Sequence, residues 1–261
     1  MLGVSRDAYY KRYRRVALAT TRQGSVLDFV TLQRKEQPRI GVRKLHFSLC
    51  KSGYNFGRDR LFSLLREREL LVRPKRRFNR TTYSKHSYVV APNRLKRVTI
   101  SRPKQAVVSD ITYIALRQGF AYLSLVTDVY SRKILGYHLS RDLGHYSALL
   151  ALDMAVTALG NTIGVIHHSD RGCQYCCHSY LDYLADNGMV PSMTDEAHCY
   201  QNAIAERING ILKDEFNLDS VFETFTDAKL AVDYAIKTYN QKRLHFSLNL
   251  NTPAQIYALA A

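Results

Sequence analysis

Two carboxylic acids and a lysine stand where the sequence pattern predicts rigid structure. Asp170 stands shortly after the apolar run at residues 162–166, and 35 residues separate it from Glu206. Glu206 lies in a segment of helical period, and Lys213 follows it two turns later on the same predicted face. Carboxylates bind hard divalent cations, and an ammonium group attracts phosphate. The arrangement therefore predicts a site that binds a metal ion and a phosphate.

The predicted helix around Glu206 is amphipathic. Steps of four, three and four residues place four polar side chains on one face, which are Asn202, Glu206, Asn209 and Lys213. The apolar side chains Ile204, Ile208, Ile211 and Leu212 fall on the opposite face. Such a helix packs its apolar face on a core, so we expect the polar face to be held rigidly opposite Asp170.

Asp110 is a third acid in an unusual place. It interrupts the apolar run VVSDITYI, where a charged side chain has no structural use in a central strand. Burying an unpaired carboxylate is costly, and a bound metal is the simplest compensation. If the strands of Asp110 and Asp170 are neighbours, the two acids lie side by side and Glu206 reaches over from its helix. Three such oxygen ligands suit Mg²⁺, with Mn²⁺ as a substitute, and two ions about 3.5–4 Å apart support in-line phosphoryl transfer.

The elements that position these acids are predicted from β-branched runs and helical periods. Strands are expected at 106–115, 120–128, 133–140, 162–169 and 189–193. Helices are expected at 146–159, 178–187 and 226–240, besides the one that carries Glu206. The order predicts a mixed α/β fold, a five-stranded sheet with helices on both faces.

The N-terminal part of the chain has a different composition. Residues 1–105 hold 27 Lys and Arg against 6 Asp and Glu, whereas the remainder is net acidic. Helices are expected at 25–37, 42–50 and 58–71, with a glycine turn before the last, as in a helix-turn-helix-like unit. We predict a basic DNA-binding domain at 1–75, a basic linker at 76–104 and a catalytic domain at 105–261. For the first of these, a helical bundle with a solvated charged face is the alternative.

Bulk properties narrow the class of protein. No apolar run approaches the roughly 18 residues of a membrane span, and the N-terminus has no signal-peptide layout. We therefore expect a cytoplasmic protein that is associated with the nucleoid when bound to DNA. The five cysteines are an odd and crowded set, which argues against a disulfide framework. Segment 173–178 and the pair His198-Cys199 have spacings that a zinc site allows, but Cys173 stands beside the acid at 170, and we expect no zinc.

Five segments together resemble one known family. They are DITYI around Asp110, TDVYSRKILGYHLS, HHSDRGCQY around Asp170, NAIAERINGILKDE around Glu206, and YNQKRLHFSLNLNTPAQIY near the end. With these motifs the chain resembles, over nearly its whole length, the catalytic B-frame protein of bacterial insertion-sequence transposases. That family belongs to the superfamily of DDE transposases and retroviral-type integrases, and the 35-residue interval between the second and third acids is one of its marks.

The resemblance implies a fold and a site. The fold would be RNase H-like, preceded by a small all-α, helix-turn-helix-like domain. Asp110, Asp170 and Glu206 would be the metal-binding catalytic triad, and Lys213 would contact the transposon end. Further DNA contacts are expected from Asn202, Asn209, Arg171 and His168.

The resemblance also implies a reaction and partners. A DDE transposase cleaves DNA at transposon ends and transfers the freed strand to a target by two-metal-ion chemistry. The partner is double-stranded DNA, bound by a homo-oligomer. Fusion or association with an upstream A-frame product, which carries a helix-turn-helix and a coiled coil, is expected, and no membrane is involved.

Two other functions use the same residues. A DNA-binding regulator of transposition would have a catalytically silent core, and the loss of one carboxylate would signal it, yet all three acids are present. An RNase H-type nuclease acting on hybrids would need neither the large basic N-terminal domain nor Lys213. Both stay open as alternatives to the transposase.

Overall fold

The computed structural model describes residues 5–73, 90–195 and 202–259. The chain divides into two compact units, Met1–Lys75 and Arg76–Ala261. Part of the predicted linker, residues 76–89, and the pair His198-Cys199 lie outside the described residues. Among the residues described, no helix has both the length and the apolar character needed to cross a membrane.

The first unit contains three helices. They are α1 (Arg6–Glu36), α2 (Val42–Lys51) and α3 (Arg58–Glu67). Their apolar faces meet in one small core, formed by Val26, Val30, Ile40, Leu45, Leu49, Phe56, Leu61, Leu64 and Leu65. The periods that predicted α2 and α3 are the ones that bury these leucines, because residues three and four apart share a helix face.

Helix α1 begins much earlier than the expected start at residue 25, so that prediction was wrong. Ser5 caps the helix, with its side chain accepting a hydrogen bond from the Ala8 amide, and Asp7 lies in the first turn. Residues 6–22 contain no proline and are rich in Arg, Lys and Ala, which favour helix even without an apolar face on a core. Periodicity of burial could therefore not reveal this half of the helix.

The second unit is built on one five-stranded sheet. Its strands are β1 (Ala106–Ala115), β2 (Phe120–Asp128), β3 (Ile134–Ser140), β4 (Ile166–Ser169) and β5 (Val190–Met193). The order is β3-β2-β1-β4-β5, with antiparallel pairing from β3 to β1 and parallel pairing from β1 to β5. The predicted mixed sheet is confirmed, and β1 and β4 are neighbours as expected.

Helices cover both faces of this sheet. They are α4 (His145–Leu159), α5 (Cys173–Cys176), α6 (His178–Asp186), α7 (Ala203–Phe216), α8 (Phe225–Lys242) and α9 (Pro253–Ala258). Helices α4, α5 and α6 share one apolar core with β1 and β2, whereas α7 and α8 share another with β1, β2 and β3. The sheet is thus a buried middle layer, and α7 lies on the face opposite α4.

Two segments differ from the predicted elements. Strand β4 begins at Ile166 rather than at residue 162, because residues before it form a turn in which Gly164 has a φ of 75°. Helices α5 and α9 were not predicted, since each spans fewer than seven residues and shows too little periodicity.

The contact between α4 and β3 is a direct approach of two backbones. A Cβ atom on Gly136 would lie 1.9 Å from the carbonyl oxygen of Ala151 and 2.7 Å from the amide nitrogen of Ala155. No side chain larger than hydrogen fits there. This glycine sets the distance of α4 from the sheet.

We expect Gly136→Ala to lower the free energy of unfolding by about 3 kcal/mol, at the upper end of usual overpacking costs, because the helix must move away from the sheet. Urea unfolding followed by circular dichroism measures it. Gly210→Ala is the matched control, since Gly210 lies in α7 with open space around its Cβ position. That change should be neutral or stabilise by up to about 1 kcal/mol. Equal stability of Gly136→Ala and the unmodified chain would contradict the backbone contact.

Candidate active site

The carboxylate of Asp110 joins strand β1 to helix α7. Its Oδ1 accepts a hydrogen bond from the Ile111 amide at 3.0 Å, and its Oδ2 accepts one from Asn209 Nδ2 at 2.7 Å. One strand position away, Asn202 Nδ2 donates to the Ser109 carbonyl oxygen at 3.0 Å. Two amides from the start and middle of α7 therefore fix that helix onto two successive residues of β1.

Asp170 stands at the same level as Asp110 on the neighbouring strand. Val108 of β1 pairs with His168 of β4, and each acid lies two residues beyond that pair. Asp170 Oδ1 accepts a hydrogen bond from the Gly172 amide at 2.9 Å. A Cβ atom on Gly172 would lie 3.0 Å from the same oxygen, so a larger residue would press on the carboxylate. The tight turn at residues 170–172 thus fixes how this acid points.

The acids act on one another electrostatically. Desolvation and the negative charges of Asp170 and Glu206 together raise the pKa of Asp110 to about 7, against the hydrogen bonds from Asn209 and Ile111. Both acids therefore lie within interaction range of Asp110. The structure places Asp110 and Asp170 on neighbouring strands, with Glu206 on a helix within electrostatic range of Asp110.

Glu206 and Lys213 lie on the helix that Asn209 holds in place. Glu206 is exposed in the first turn of α7, and Lys213 is half-buried in its last turn. Desolvation lowers the pKa of Lys213, and the charges of Asp110 and Asp219 oppose that effect. Lys213 thus lies within electrostatic range of Asp110.

The residues predicted to contact DNA differ in exposure. His168, Asn202 and Asn209 are buried, at 0%, 3% and 6% exposure. His168 Nδ1 lies 2.9 Å from Ser192 Oγ, and the two asparagines bind β1 as described. The Arg171 side chain is half-buried, with Nε donating to the Thr194 carbonyl oxygen at 2.8 Å. Direct DNA contact by these residues stays a prediction.

A buried polar cluster below the acids was missed by sequence reasoning. His167 Nε2 lies 2.8 Å from Ser109 Oγ and 2.9 Å from the Tyr180 hydroxyl, and desolvation lowers the pKa of His167 to about 3. The ring of Tyr175 packs against His167 and Tyr180, with centroids 6.3 and 5.4 Å apart. Its position five residues after the acid at 170 was the available signal, since it belongs to the same motif.

The donor set fits a hard divalent cation. Within the described part of the chain, no three His, Cys, Asp or Glu side chains are gathered into a ready-made metal cluster. However, Asp110 and Asp170 are half-buried and repel each other, and a bound cation would relieve both costs. Two of the cysteines considered for zinc differ in exposure. Cys173 is exposed, whereas Cys176 is buried with its Sγ 3.6 Å from Met193 Sδ.

Comparisons with known proteins agree on one family. The integrase core domain family matches residues 100–199, and a second family of the same description matches residues 187–253. The chain is 33% identical over 258 residues to the insertion element IS600 uncharacterized 31 kDa protein of Shigella sonnei, covering 97% of this chain and 95% of that protein. It is 32% identical over 220 residues to the transposase InsF for insertion sequence IS3A of Escherichia coli (strain K12), covering 82% of this chain and 76% of that one.

A solved structure supports the fold. The cryoEM structure of the simian T-cell lymphotropic virus intasome in complex with PP2A regulatory subunit B56 gamma aligns with a TM-score of 0.52 and 15% identity. The alignment covers 84% of this chain and 70% of that one. The five-stranded sheet with its helices is therefore RNase H-like, as the resemblance implied.

The raised pKa of Asp110 predicts how stability depends on pH without metal. Its folded value of about 7 exceeds its ordinary 3.8, so the folded state binds the extra proton and loses stability as pH rises between those values. We expect wild type in EDTA to lose about 2–4 kcal/mol relative to Asp110→Asn between pH 4 and 7. Urea unfolding across that range measures it.

The control for this pH experiment is Asp182→Asn, which removes one exposed carboxylate from α6. Its stability should follow the wild-type pH profile. Parallel profiles for wild type and Asp110→Asn would show that the carboxyl at 110 is not desolvated beside another acid.

Proposed function

Given that this chain belongs to the family of insertion-sequence transposases with an integrase core domain, we propose that it is a DDE transposase. Its reaction would cleave DNA at the ends of its element and join them to target DNA. The observation that carries this proposal is the coupling of Asp110 to Asp170 and Glu206 on neighbouring elements of an RNase H-like sheet. Such a donor set is suited to phosphoryl transfer.

Asp110, Asp170 and Glu206 would hold two divalent cations, Mg²⁺ or in its place Mn²⁺. When bound, such cations supply activation of the attacking oxygen and stabilisation of the leaving oxygen. The chain's own part is positioning: Asn209 holds one oxygen of Asp110, the Gly172 amide holds one oxygen of Asp170, and α7 carries Glu206 on a rigid backbone. Fixed geometry lowers the entropic part of the barrier.

The two steps balance without an external energy source. In the first, a water oxygen attacks phosphorus at the element's end, the bond to the 3′ oxygen breaks, and a 3′-OH and a 5′-phosphate result. In the second, that 3′-OH attacks a target phosphodiester, and one phosphodiester bond forms as another breaks. Lys213, half-buried beside Asp110, would bind a phosphate of the element's end close to the reacting group.

The first unit would bind DNA without regard to its sequence. At residues 6–22, every side chain that the structure describes is exposed, so half of α1 contacts no core. That stretch carries six Lys and Arg against one acid, Asp7, which is paired with Lys11 at 2.9 Å. Arg14, Arg15 and Arg22 share one face, opposite Tyr9 and Tyr13. A long cationic helix face fits a duplex phosphate backbone.

The proposed setting is the bacterial cytoplasm, on nucleoid DNA. A homo-oligomer on DNA is proposed, because two element ends must be joined to one target. We also propose fusion or association with an upstream A-frame product. The alternatives are a catalytically silent DNA-binding regulator and an RNase H-type nuclease, and the first experiment below distinguishes them.

Neutralising any acid of the proposed triad should abolish strand joining. We expect Asp110→Asn, Asp170→Asn and Glu206→Gln each to lower joining of labelled element ends by at least about 10³-fold, since each removes a cation ligand, while DNA affinity changes little. Gel assays with Mg²⁺ and filter binding measure the two quantities. Asp214→Asn is the control, as it removes an exposed acid from the same helix as Glu206.

The outcomes of that assay separate the three functions. Joined product from the unmodified protein, lost in the triad variants, supports the transposase. Binding without joining in the unmodified protein supports the regulator, and cleavage of RNA–DNA hybrids without joining supports the nuclease. Substantial activity in any one variant would remove that acid from the triad.

Neutralising the α1 basic face should change the salt dependence of DNA binding. For Arg14→Gln, Arg15→Gln and Arg22→Gln combined, the slope of log affinity against log salt should fall by up to about 2.7, because each lost phosphate contact removes about 0.9. Lys213→Ala should lower it by about 1. The control is Tyr13→Ser, on the opposite face of α1, which keeps every charge. An unchanged slope in the triple variant would exclude this face from the phosphate contacts.

A further inference from the structure

The hydroxyl of Tyr175 has no hydrogen-bond partner among the described residues, although it is buried. The residue is only 3% exposed, and its hydroxyl oxygen is shielded from solvent. Buried polar groups in folded proteins are nearly always bonded, because an unbonded one loses its interaction with water without replacement. An exception of this kind indicates a partner that arrives with a ligand.

The backbone of Tyr175 belongs to the turn that follows the acid at 170. Its amide donates to the Gly172 carbonyl oxygen at 2.9 Å, which closes the turn that follows Asp170. A Cβ atom on Gly172 would lie 3.0 Å from Asp170 Oδ1 and 3.7 Å from Cδ2 of the Tyr175 ring. The carboxylate and the ring edge therefore flank the same small residue.

Packing alone does not account for the hydroxyl. Tyr180 lies in the same core, with its ring centroid 5.4 Å from that of Tyr175, and its hydroxyl is bonded to His167 Nε2 at 2.9 Å. The ring of Tyr175 packs equally well without its oxygen, since nothing in the described core accepts a hydrogen bond from it. A phenylalanine would fill the same space.

The acid site is the electrostatic environment of this hydroxyl. Burial raises the pKa of Tyr175 well above its ordinary value, and Tyr180 and the charges of Asp110 and Asp170 raise it further, so the group remains an O–H donor. Two acceptor atoms near the same strand are also buried and without partners in the described structure, which are Oδ1 of Asn202 and Oδ1 of Asn209. Their amide nitrogens bind Ser109 and Asp110. Such unpartnered donors and acceptors around a pair of acids are expected at a cation site. The ion and its bound water would supply the missing hydrogen-bond partners.

We propose that Tyr175 is a positioning residue whose hydroxyl donates a hydrogen bond to the carboxylate of Asp170 when a divalent cation is bound at the acid site. The inference rests on the proposed function, because it presupposes that cation. The hydrogen bond would hold one carboxylate oxygen of Asp170 while the Gly172 amide holds the other, Oδ1. The acid would then keep a single orientation. Hydrogen bonds of this kind typically change metal affinity by about 10- to 100-fold.

The test is Tyr175→Phe in the full chain, with Mn²⁺ as the probe. Binding is followed by the electron paramagnetic resonance signal of free Mn²⁺, and unfolding temperature is measured in EDTA. We expect the dissociation constant for Mn²⁺ to rise about 10-fold. In EDTA the unfolding temperature should be unchanged or higher, because an unbonded buried hydroxyl has been removed.

Tyr180→Phe is the matched control. It removes a bonded hydroxyl from the same core, so it should lower the unfolding temperature in EDTA and leave Mn²⁺ affinity unchanged. Wild-type Mn²⁺ affinity in Tyr175→Phe would overturn the inference, as would a fall in its unfolding temperature like that of Tyr180→Phe. Asp170→Asn should bind Mn²⁺ far more weakly than either tyrosine variant. If wild type binds no Mn²⁺ at the site, the proposed function fails and the inference fails with it.

Discussion

The structure depends on how a carboxylate is kept inside a sheet. Asp110 lies half-buried on the central strand, where desolvation and the charges of the neighbouring acids together raise its pKa to about 7. The protein offsets this cost only partly, with one amide from its own strand and one from Asn209. A second acid on the neighbouring strand increases the cost. Such an arrangement is unfavourable for folding and favourable for binding a cation, since a cation removes the repulsion and replaces the lost hydration.

Helix α7 connects the acid on β1 to the rest of the second unit. The side-chain amides of Asn202 and Asn209 bind β1 from the first part of the helix. Near its other end, Glu215 pairs with Arg243 through two hydrogen bonds of 2.6 and 3.0 Å. Arg243 follows α8 and is 3% exposed, so this ion pair is largely removed from solvent. Breaking it would leave a buried charge without its partner. Glu206 is therefore carried by a helix held at both ends, although its own side chain is exposed.

Most of the sheet and its neighbours could be predicted from the sequence, and the reasons are local. β-branched runs set β1, β2 and β3 within one residue of their observed bounds, and the 3.6-residue period set α4, α6 and α8 to within two. The early start of α1 and the short α5 could not be predicted in this way. Neither segment has the apolar residues at helical spacing that mark a face packed on a core. Their conformations follow from capping, propensity and turn geometry.

The sequence by itself determined which residues carry the chemistry: a charge inside an apolar strand, a charge at a strand end, and a charge on a helix of regular period are all visible in one dimension. Only the tertiary structure decided what surrounds them. Asn209 shares a predicted polar face with Glu206, yet it is buried against Asp110, because the helix crosses the strand at that point. Tyr175 looks like any core aromatic until its hydroxyl is found without a partner among the described residues, within electrostatic range of Asp110 and Asp170. Hydrogen bonding and desolvation depend on atoms distant in sequence, and these set the pKa of Asp110.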